Sequence, residues 1–247
     1  MTQNANYFAD YKSYIEKYRG YEYREPDEIF EELIEECNYI SGEGKDLIRQ
    51  SYEMAKAGHS NQLRKSGTPY ITHPLTVACM MLPYRPCPML LSATLLHDIL
   101  EDTDETYESV AAIHPDIANI VEWATKIRWA SRDDPTGFSS EQARFETIRK
   151  ILVASQKDIR ILYLKIFDRS HNMMTISAMS PEGRQRMAEE TAHVYIPLAK
   201  RCGLREMYHF LHGLTAEVLE QEKWKTMETF VTNKHESMVE NSKKIHT

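Results

Sequence analysis

The chain has 247 residues, 42% of them hydrophobic, enough for one large domain or two small ones around an ordinary globular core. Its formal net charge of -7 argues against a general nucleic-acid or membrane-surface binder, and no apolar run is long enough to span a bilayer. The start, Met-Thr-Gln-Asn-Ala-Asn, lacks a signal-peptide core and none of Cys37, Cys79, Cys87 and Cys202 forms a C-x-x-C pair, so reduced thiols in a cytoplasmic protein are the simplest expectation.

Tyr7, Tyr11, Tyr14 and Tyr18 fall at i, i+4, i+7 and i+11, which predicts a helix whose aromatic stripe serves core packing or a subunit contact. Residues 27–40 predict a second helix with Ile29, Phe30, Leu33, Ile34 and Cys37 inward, broken by Ser41-Gly42-Glu43-Gly44. A third, over 45–58, ends at Gly58. The loop that follows carries the turn chemistry Ser66-Gly67-Thr68-Pro69. Arg64 and Lys65 stand just before that turn, either as solvated charge or as side chains reaching into a cleft. A helix then starts with Pro74 near its first turn. His73 lies just before this start and is structural unless a nearby site needs a nitrogen donor.

Such a site is suggested by Leu95-Leu96-His97-Asp98-Ile99-Leu100-Glu101-Asp102-Thr103, which closes the apolar run Met89 to Thr94 and is read as the end of one buried helix. His97 and Glu101 are four apart, as are Asp98 and Asp102, so each pair stacks on nearly one face. One imidazole and three carboxylates then crowd over one or two turns. Unpaired buried carboxylates are strongly disfavoured, and a divalent cation is their natural neutraliser. Imidazole with carboxylate suits Mn²⁺, Fe²⁺ or Zn²⁺ better than Ca²⁺. The alternative, solvated acids at an exposed helix C-terminus, runs against the helix dipole.

Further helices are predicted over 106–113, 116–127 and 141–154, with the loop-like stretch Arg128 to Gln142 read as a mobile flap or an ordinary surface connection. The stretch Asp158 to Thr175 is apolar on most faces, yet Lys165, Asp168, Asn172 and Thr175 form one polar stripe at i, i+3, i+7 and i+10. Such a stripe faces a wet cleft or partners that satisfy it, and it makes Asp168 a candidate fourth ligand. Ser180-Pro181-Glu182 starts a helix that runs through Tyr195 and is expected to kink at Pro197. One or two helices over 204–232 and a frayed polar tail from Asn233 complete an all-α reading. The expected division is an N-terminal helical extension (1–46), a main domain (47–220) and a C-terminal helical tail (221–247).

A histidine, a His-Asp dipeptide and a distant aspartate form the pattern of the HD phosphohydrolase superfamily. More narrowly, R-K-S-G-T-P-Y-I-T-H-P, L-L-H-D-I-L-E-D-T, D-R-S-H-N-M and E-T-A-H-V-Y-I-P-L-A resemble the hydrolase domain of the RelA/SpoT homologue family, in that family's order, from about Leu47 to Leu219. The resemblance implies an HD-type helical bundle and a Mn²⁺-dependent hydrolase that removes the 3′-pyrophosphate of ppGpp and pppGpp. It implies His73, His97, Asp98 and Asp168 as metal ligands and Glu101 and Asp102 as the acidic pair needed for hydrolysis. It also implies Arg64, Lys65 and Ser66 as the loop that holds the nucleotide, with Arg64 stacked on guanine, and Asn172 and Thr175 as lining of the nucleoside pocket. Lys165 and Arg64 are expected to offset phosphate charge.

Three positions depart from the family pattern: Asn61 stands for a glycine, Met174 for an arginine and Gly183 for a lysine, all expected at the pocket rim. Nothing after residue 220 resembles a synthetase domain, so a stand-alone small alarmone hydrolase is expected rather than an excised domain. Two other readings stay open. One is an antitoxin-type hydrolase that counteracts a toxic synthetase, acting on adenosine alarmones or pyrophosphorylated tRNA. The other is a non-catalytic nucleotide-binding regulator. A nucleotide is the expected partner, with a homo-oligomer or a cognate synthetase as further possibilities.

Overall fold

Short polar residues and prolines set the helix starts. The computed structural model describes residues 2–127, 140–226 and 229. Of the expected flap Arg128 to Gln142, residues 128–139 lie outside the described residues, as does the tail from Asn233, while Ser140 to Gln142 belong to a helix. Helix α1 covers Thr2–Gly20 and passes through a 3₁₀ turn, Tyr21–Tyr23, to α2 (Pro26–Glu36) and α3 (Gly42–Gly58). Next come α4 (Thr72–Met81), α5 (Pro88–Leu95), α6 (Ile99–Asp102), α7 (Tyr107–Ile113) and α8 (Pro115–Lys126). Then follow α9 (Ser140–Lys157), α10 (Ile159–Met174), α11 (Pro181–Glu190), α12 (Ile196–Arg201) and α13 (Arg205–Leu219).

Ser41, Asp158 and Ser180 cap α3, α10 and α11 by accepting a backbone N–H, and Thr106 and Ser109 cap α7 reciprocally. Pro26, Pro88, Pro115 and Pro181 sit in first turns, where a missing N–H costs nothing. No strand occurs among the described residues. One antiparallel bridge, Leu63 to Pro69, closes the loop between α3 and α4. No helix there is long and apolar enough to cross a membrane.

Helix α5 is buried from Leu90 to Leu95, packed by α3, α4 and α8, while α10 lies against α4, α8, α9 and α13. Tyr11, Tyr18 and Ile15 of α1 are buried in the same core. Tyr11 and Tyr14 meet Phe210 of α13 at ring distances of 5.7 and 4.7 Å, and Tyr11 also meets Trp224 at 5.5 Å. Tyr11, Tyr14 and Tyr18 of the stripe are thus core packing, and the Tyr7 side chain lies outside the described ones. Helix α13 can approach because Gly213 faces Tyr11: a Cβ there would lie 2.5 Å from its Cε2.

The predicted kink at Pro197 takes another form. Thr191–Tyr195 widens into a π-turn that joins α11 to α12 without a break. Proline clashes with the carbonyl four residues back, and a widened turn relieves that clash. The buried Arg169 anchors α10 to this segment. Its Nη2 donates to Glu190 at 2.7 Å and to the Tyr195 hydroxyl at 3.3 Å, and the guanidinium lies over the Tyr195 ring. Removing one partner strands the other charge away from water. Glu190→Ala is therefore expected to cost about 3–5 kcal/mol in urea unfolding. A cost within a few tenths would contradict an energetic role for this pair.

Candidate metal centre

His97 sits in a break between helices, not inside one. Helix α5 stops at Leu95, Leu96 to Asp98 form a turn, and α6 restarts at Ile99. The His97 Nδ1–H donates to the Thr94 carbonyl at 2.8 Å, which holds the ring inward and turns Nε2 toward the carboxylates. The expectation of one continuous helix with His97 stacked on Glu101 is corrected accordingly. His97 is fully buried, whereas Glu101 and Asp102 are exposed in the first turn of α6. That placement suits acids, because a first turn is the positive end of a helix. His73 is also inside α4, at its second residue, and not before its start.

Four side chains from two helices, α4 and α10, and the turn between α5 and α6 converge. His73 Nε2 lies 3.3 Å from Asp168 Oδ1 and 3.7 Å from Asp98 Oδ2. His97 Nε2 lies 3.2 Å from Asp98 Oδ2 and 3.7 Å from Asp168 Oδ1. One ligand atom each from His73, His97 and Asp168 falls within a 4.8 Å set, so these three could hold a metal ion, with Asp98 adjoining them. The imidazoles are buried, while the side chains of Asp98 and Asp168 are 19% and 17% exposed, so the centre opens to solvent on its carboxylate side.

The His97 Nε2 atom is buried and has no hydrogen-bond partner. A buried imidazole nitrogen so placed, beside carboxylate oxygens, fits a divalent transition metal that takes the place of its proton. Burial lowers the His97 pKa, but the Asp98 and Asp168 carboxylates outweigh it and raise it to about 10. His73 is lowered to about 4 by burial and by the nearby Arg64 charge. Burial also works against the two carboxylates, yet His97 beside Asp98, and His73 and His97 beside Asp168, hold both below the usual range.

The polar stripe of α10 forms as expected. Lys165 Nζ lies 4.0 Å from Asp168 Oδ2, and Asn172 Nδ2 donates to Asp168 Oδ1 at 2.6 Å. Arg64 reaches from its loop to Thr175 Oγ1 at 3.1 Å and Asn172 Oδ1 at 3.5 Å. Lys65 and Ser66 are on the exposed rim, where the Ser66 hydroxyl pairs with Thr68 at 2.9 Å. Gly67, with φ of +87°, makes the turn that folds the loop back.

Two expected rim positions are not on the rim. Met174 is 1% exposed, and its carbonyl accepts from Arg19 at 3.2 Å. Gly183 is buried beneath Met179 and Ser180. Of the three departures only Asn61 is exposed.

Two further residues touch the centre without having been assigned a role from sequence. His171 pairs its Nδ1 with His73 Nδ1 at 2.8 Å. Tyr70 donates to Asp98 Oδ2 at 2.6 Å or to Asp102 Oδ2 at 3.1 Å. Burial and then Asp98 push the Tyr70 pKa up, so the hydroxyl keeps its proton. Both lie in motif stretches, but a tyrosine after a loop proline and a histidine on a buried helix read equally well as packing.

The fold and this His/His/Asp centre define an HD-domain protein. The HD domain family matches residues 51–205, and the chain belongs to it. The bifunctional (p)ppGpp synthase/hydrolase SpoT of Escherichia coli K12 is 34% identical over 205 residues, covering 83% of this chain and 28% of that protein. A guanosine-3′,5′-bis(diphosphate) 3′-pyrophosphohydrolase of Vibrio cholerae is 33% identical over 211 residues, covering 85% and 29%. The chain thus spans less than a third of the length of these curated relatives. Among solved structures, one described as a metazoan ortholog of SpoT that hydrolyzes ppGpp superposes with a TM-score of 0.51 at 22% identity, covering 76% of this chain and 99% of that one. At that identity the likeness speaks for the fold. The resemblance to RelA/SpoT hydrolase domains read from the motifs is borne out by these relatives.

The raised pKa of His97 means that the metal-free centre carries a proton at neutral pH. A cation must displace that proton, so metal affinity rises with pH and levels off above the His97 pKa. Between pH 6 and 8 the Mn²⁺ affinity should rise about tenfold per pH unit, with about one proton released per ion. Calorimetry in two buffers of different protonation enthalpy measures both. A pH-independent affinity would contradict the assignment.

Proposed function

We propose that the protein hydrolyses the 3′-pyrophosphate of ppGpp and pppGpp, giving GDP or GTP and pyrophosphate, with Mn²⁺ as its metal. The observation that carries this reading is the convergence of His73, His97 and Asp168 at one end of the α10 stripe whose other end, Asn172 and Thr175, meets Arg64. Cation and nucleotide sites then share one cleft. The relatives' names supply the substrate class.

His73, His97, Asp98 and Asp168 are assigned to the metal, which when bound supplies Lewis-acid activation of water and of the phosphate. Glu101 and Asp102, exposed in the first turn of α6 just after the His97–Asp98 pair, are assigned proton exchange with water and substrate. One takes a proton from the attacking water as its oxygen bonds to phosphorus. The other gives a proton to the 3′ oxygen as the phosphorus–oxygen bond breaks. Lys165, held near Asp168, offsets charge on the phosphate as it shifts. Arg64, Lys65 and Ser66 bind the nucleotide from the loop, with Asn172 and Thr175 on the opposite wall. Arg64 must exchange its bonds to Asn172 and Thr175 for the base when substrate enters. We place this chemistry in the cytoplasm, where the four cysteines, free in the structure, stay reduced.

Product analysis on ppGpp with Mn²⁺ tests the reading. Release of GDP and pyrophosphate is expected, abolished by a chelator and by Asp98→Ala. Glu101→Gln should keep metal affinity while turnover falls at least ~100-fold. Full activity in Glu101→Gln would contradict the proton-transfer role, and release of single phosphate would contradict the reaction.

A further inference from the structure

Tyr70 has one hydroxyl proton and two carboxylates within reach, Asp98 Oδ2 at 2.6 Å and Asp102 Oδ2 at 3.1 Å. Of these, Asp98 Oδ2 is the oxygen that faces both imidazole Nε2 atoms, at 3.7 and 3.2 Å. The hydroxyl therefore stands between the centre and an acid outside it.

Its position is firmly built. The Tyr70 ring stacks on the buried His59 with centroids 4.7 Å apart and planes 27° apart. The Tyr70 N–H donates to the Gln62 carbonyl at 3.0 Å. Gln62 Oε1 accepts from the His59 Nδ1–H at 2.8 Å, and Gln62 Nε2 donates to the backbone carbonyl of Asp102. His59, Gln62, Tyr70 and Asp102 thus form one linked frame that ties the α3–α4 loop to α6. A tyrosine present only to fill space would not need its hydroxyl placed between two acids.

We propose that Tyr70 is a positioning residue that couples occupancy of the centre to the orientation of Asp102. Asp98 Oδ2 is the nearer acceptor, at 2.6 Å against 3.1 Å for Asp102 Oδ2, and its negative charge holds the hydroxyl. A cation on the Asp98 carboxylate draws off that charge, and Asp102 becomes the better acceptor. The hydroxyl then fixes the Asp102 carboxylate toward the cleft when the centre is ready to act. Covalent bonds and proton count are unchanged: one hydrogen bond moves between two acceptors. The coupling rests on the proposed hydrolysis only in giving Asp102 a task.

The test needs no substrate in its first arm. The protein carries ¹³C at tyrosine Cζ, with Tyr70 assigned by its proximity to His59, and is titrated with Zn²⁺ alone, in wild type and in Asp102→Asn. The Tyr70 signal should move on metal addition in wild type, and that movement should shrink by at least about half in Asp102→Asn, since the second acceptor is then weaker. Equal movement in the two proteins would overturn the proposal. In the second arm Tyr70→Phe should lower kcat on ppGpp about 10- to 100-fold while KM and Mn²⁺ affinity change less than about threefold. A kcat within threefold of wild type would overturn it as well. If wild type turns over no alarmone, the hydrolase reading falls while the Zn²⁺ titration still decides the role of Tyr70.

Discussion

Two buried imidazoles and two largely buried carboxylates share one small volume among apolar helices, and the protein must hold them there with little water. Burying such groups unpaired costs several kcal/mol each. The local structure is arranged around that cost. Helix α5 ends early so that the Thr94 carbonyl can take the His97 Nδ1–H. His171 fixes His73 from behind, and Asn172 and Lys165 attend Asp168. Among these groups His97 Nε2 stays buried without a hydrogen-bond partner, 3.2 Å from Asp98 Oδ2. A divalent cation at that point would complete the pairing, so the constraint that shapes the helix break also favours a metal site.

Helix α10 acts as the ruler of the cleft. Asp168, Asn172 and Thr175 lie along one face, and seven residues of helix span about 10 Å. That is a nucleotide's reach from phosphate to base. Arg169, one step round the helix, points away to Glu190 and Tyr195 and locks the ruler to the π-turn behind it. The buried pair thus fixes the rotation of α10, the helix that carries Asp168 and Asn172.

Much of this was legible in sequence. Helical spacing exposed the α10 stripe because polar residues on an otherwise apolar helix need a reason. The His-Asp pair, His73 and Asp168 were found by their chemistry and by motif. The break at Leu96 to Asp98 was not legible, since nothing in Leu-Leu-His-Asp-Ile-Leu is a helix breaker; it is imposed by tertiary demand for the His97 ring. Met174 and Gly183 were misplaced for a related reason. A departure from a family motif says what changed but not which way the side chain faces. Tyr70 and His171 escaped notice because their partners lie far away in sequence: 28 residues separate Tyr70 from Asp98, and 98 separate His73 from His171.

The measurement that bears most directly on this account is anomalous diffraction at the manganese edge from crystals grown with Mn²⁺. The account predicts a single strong peak bonded to Nε2 of His73, Nε2 of His97 and the carboxylates of Asp98 and Asp168. No peak there, or a peak elsewhere with the cluster unchanged, would mean that these buried groups satisfy one another without a cation, and the proposed chemistry would lose its centre.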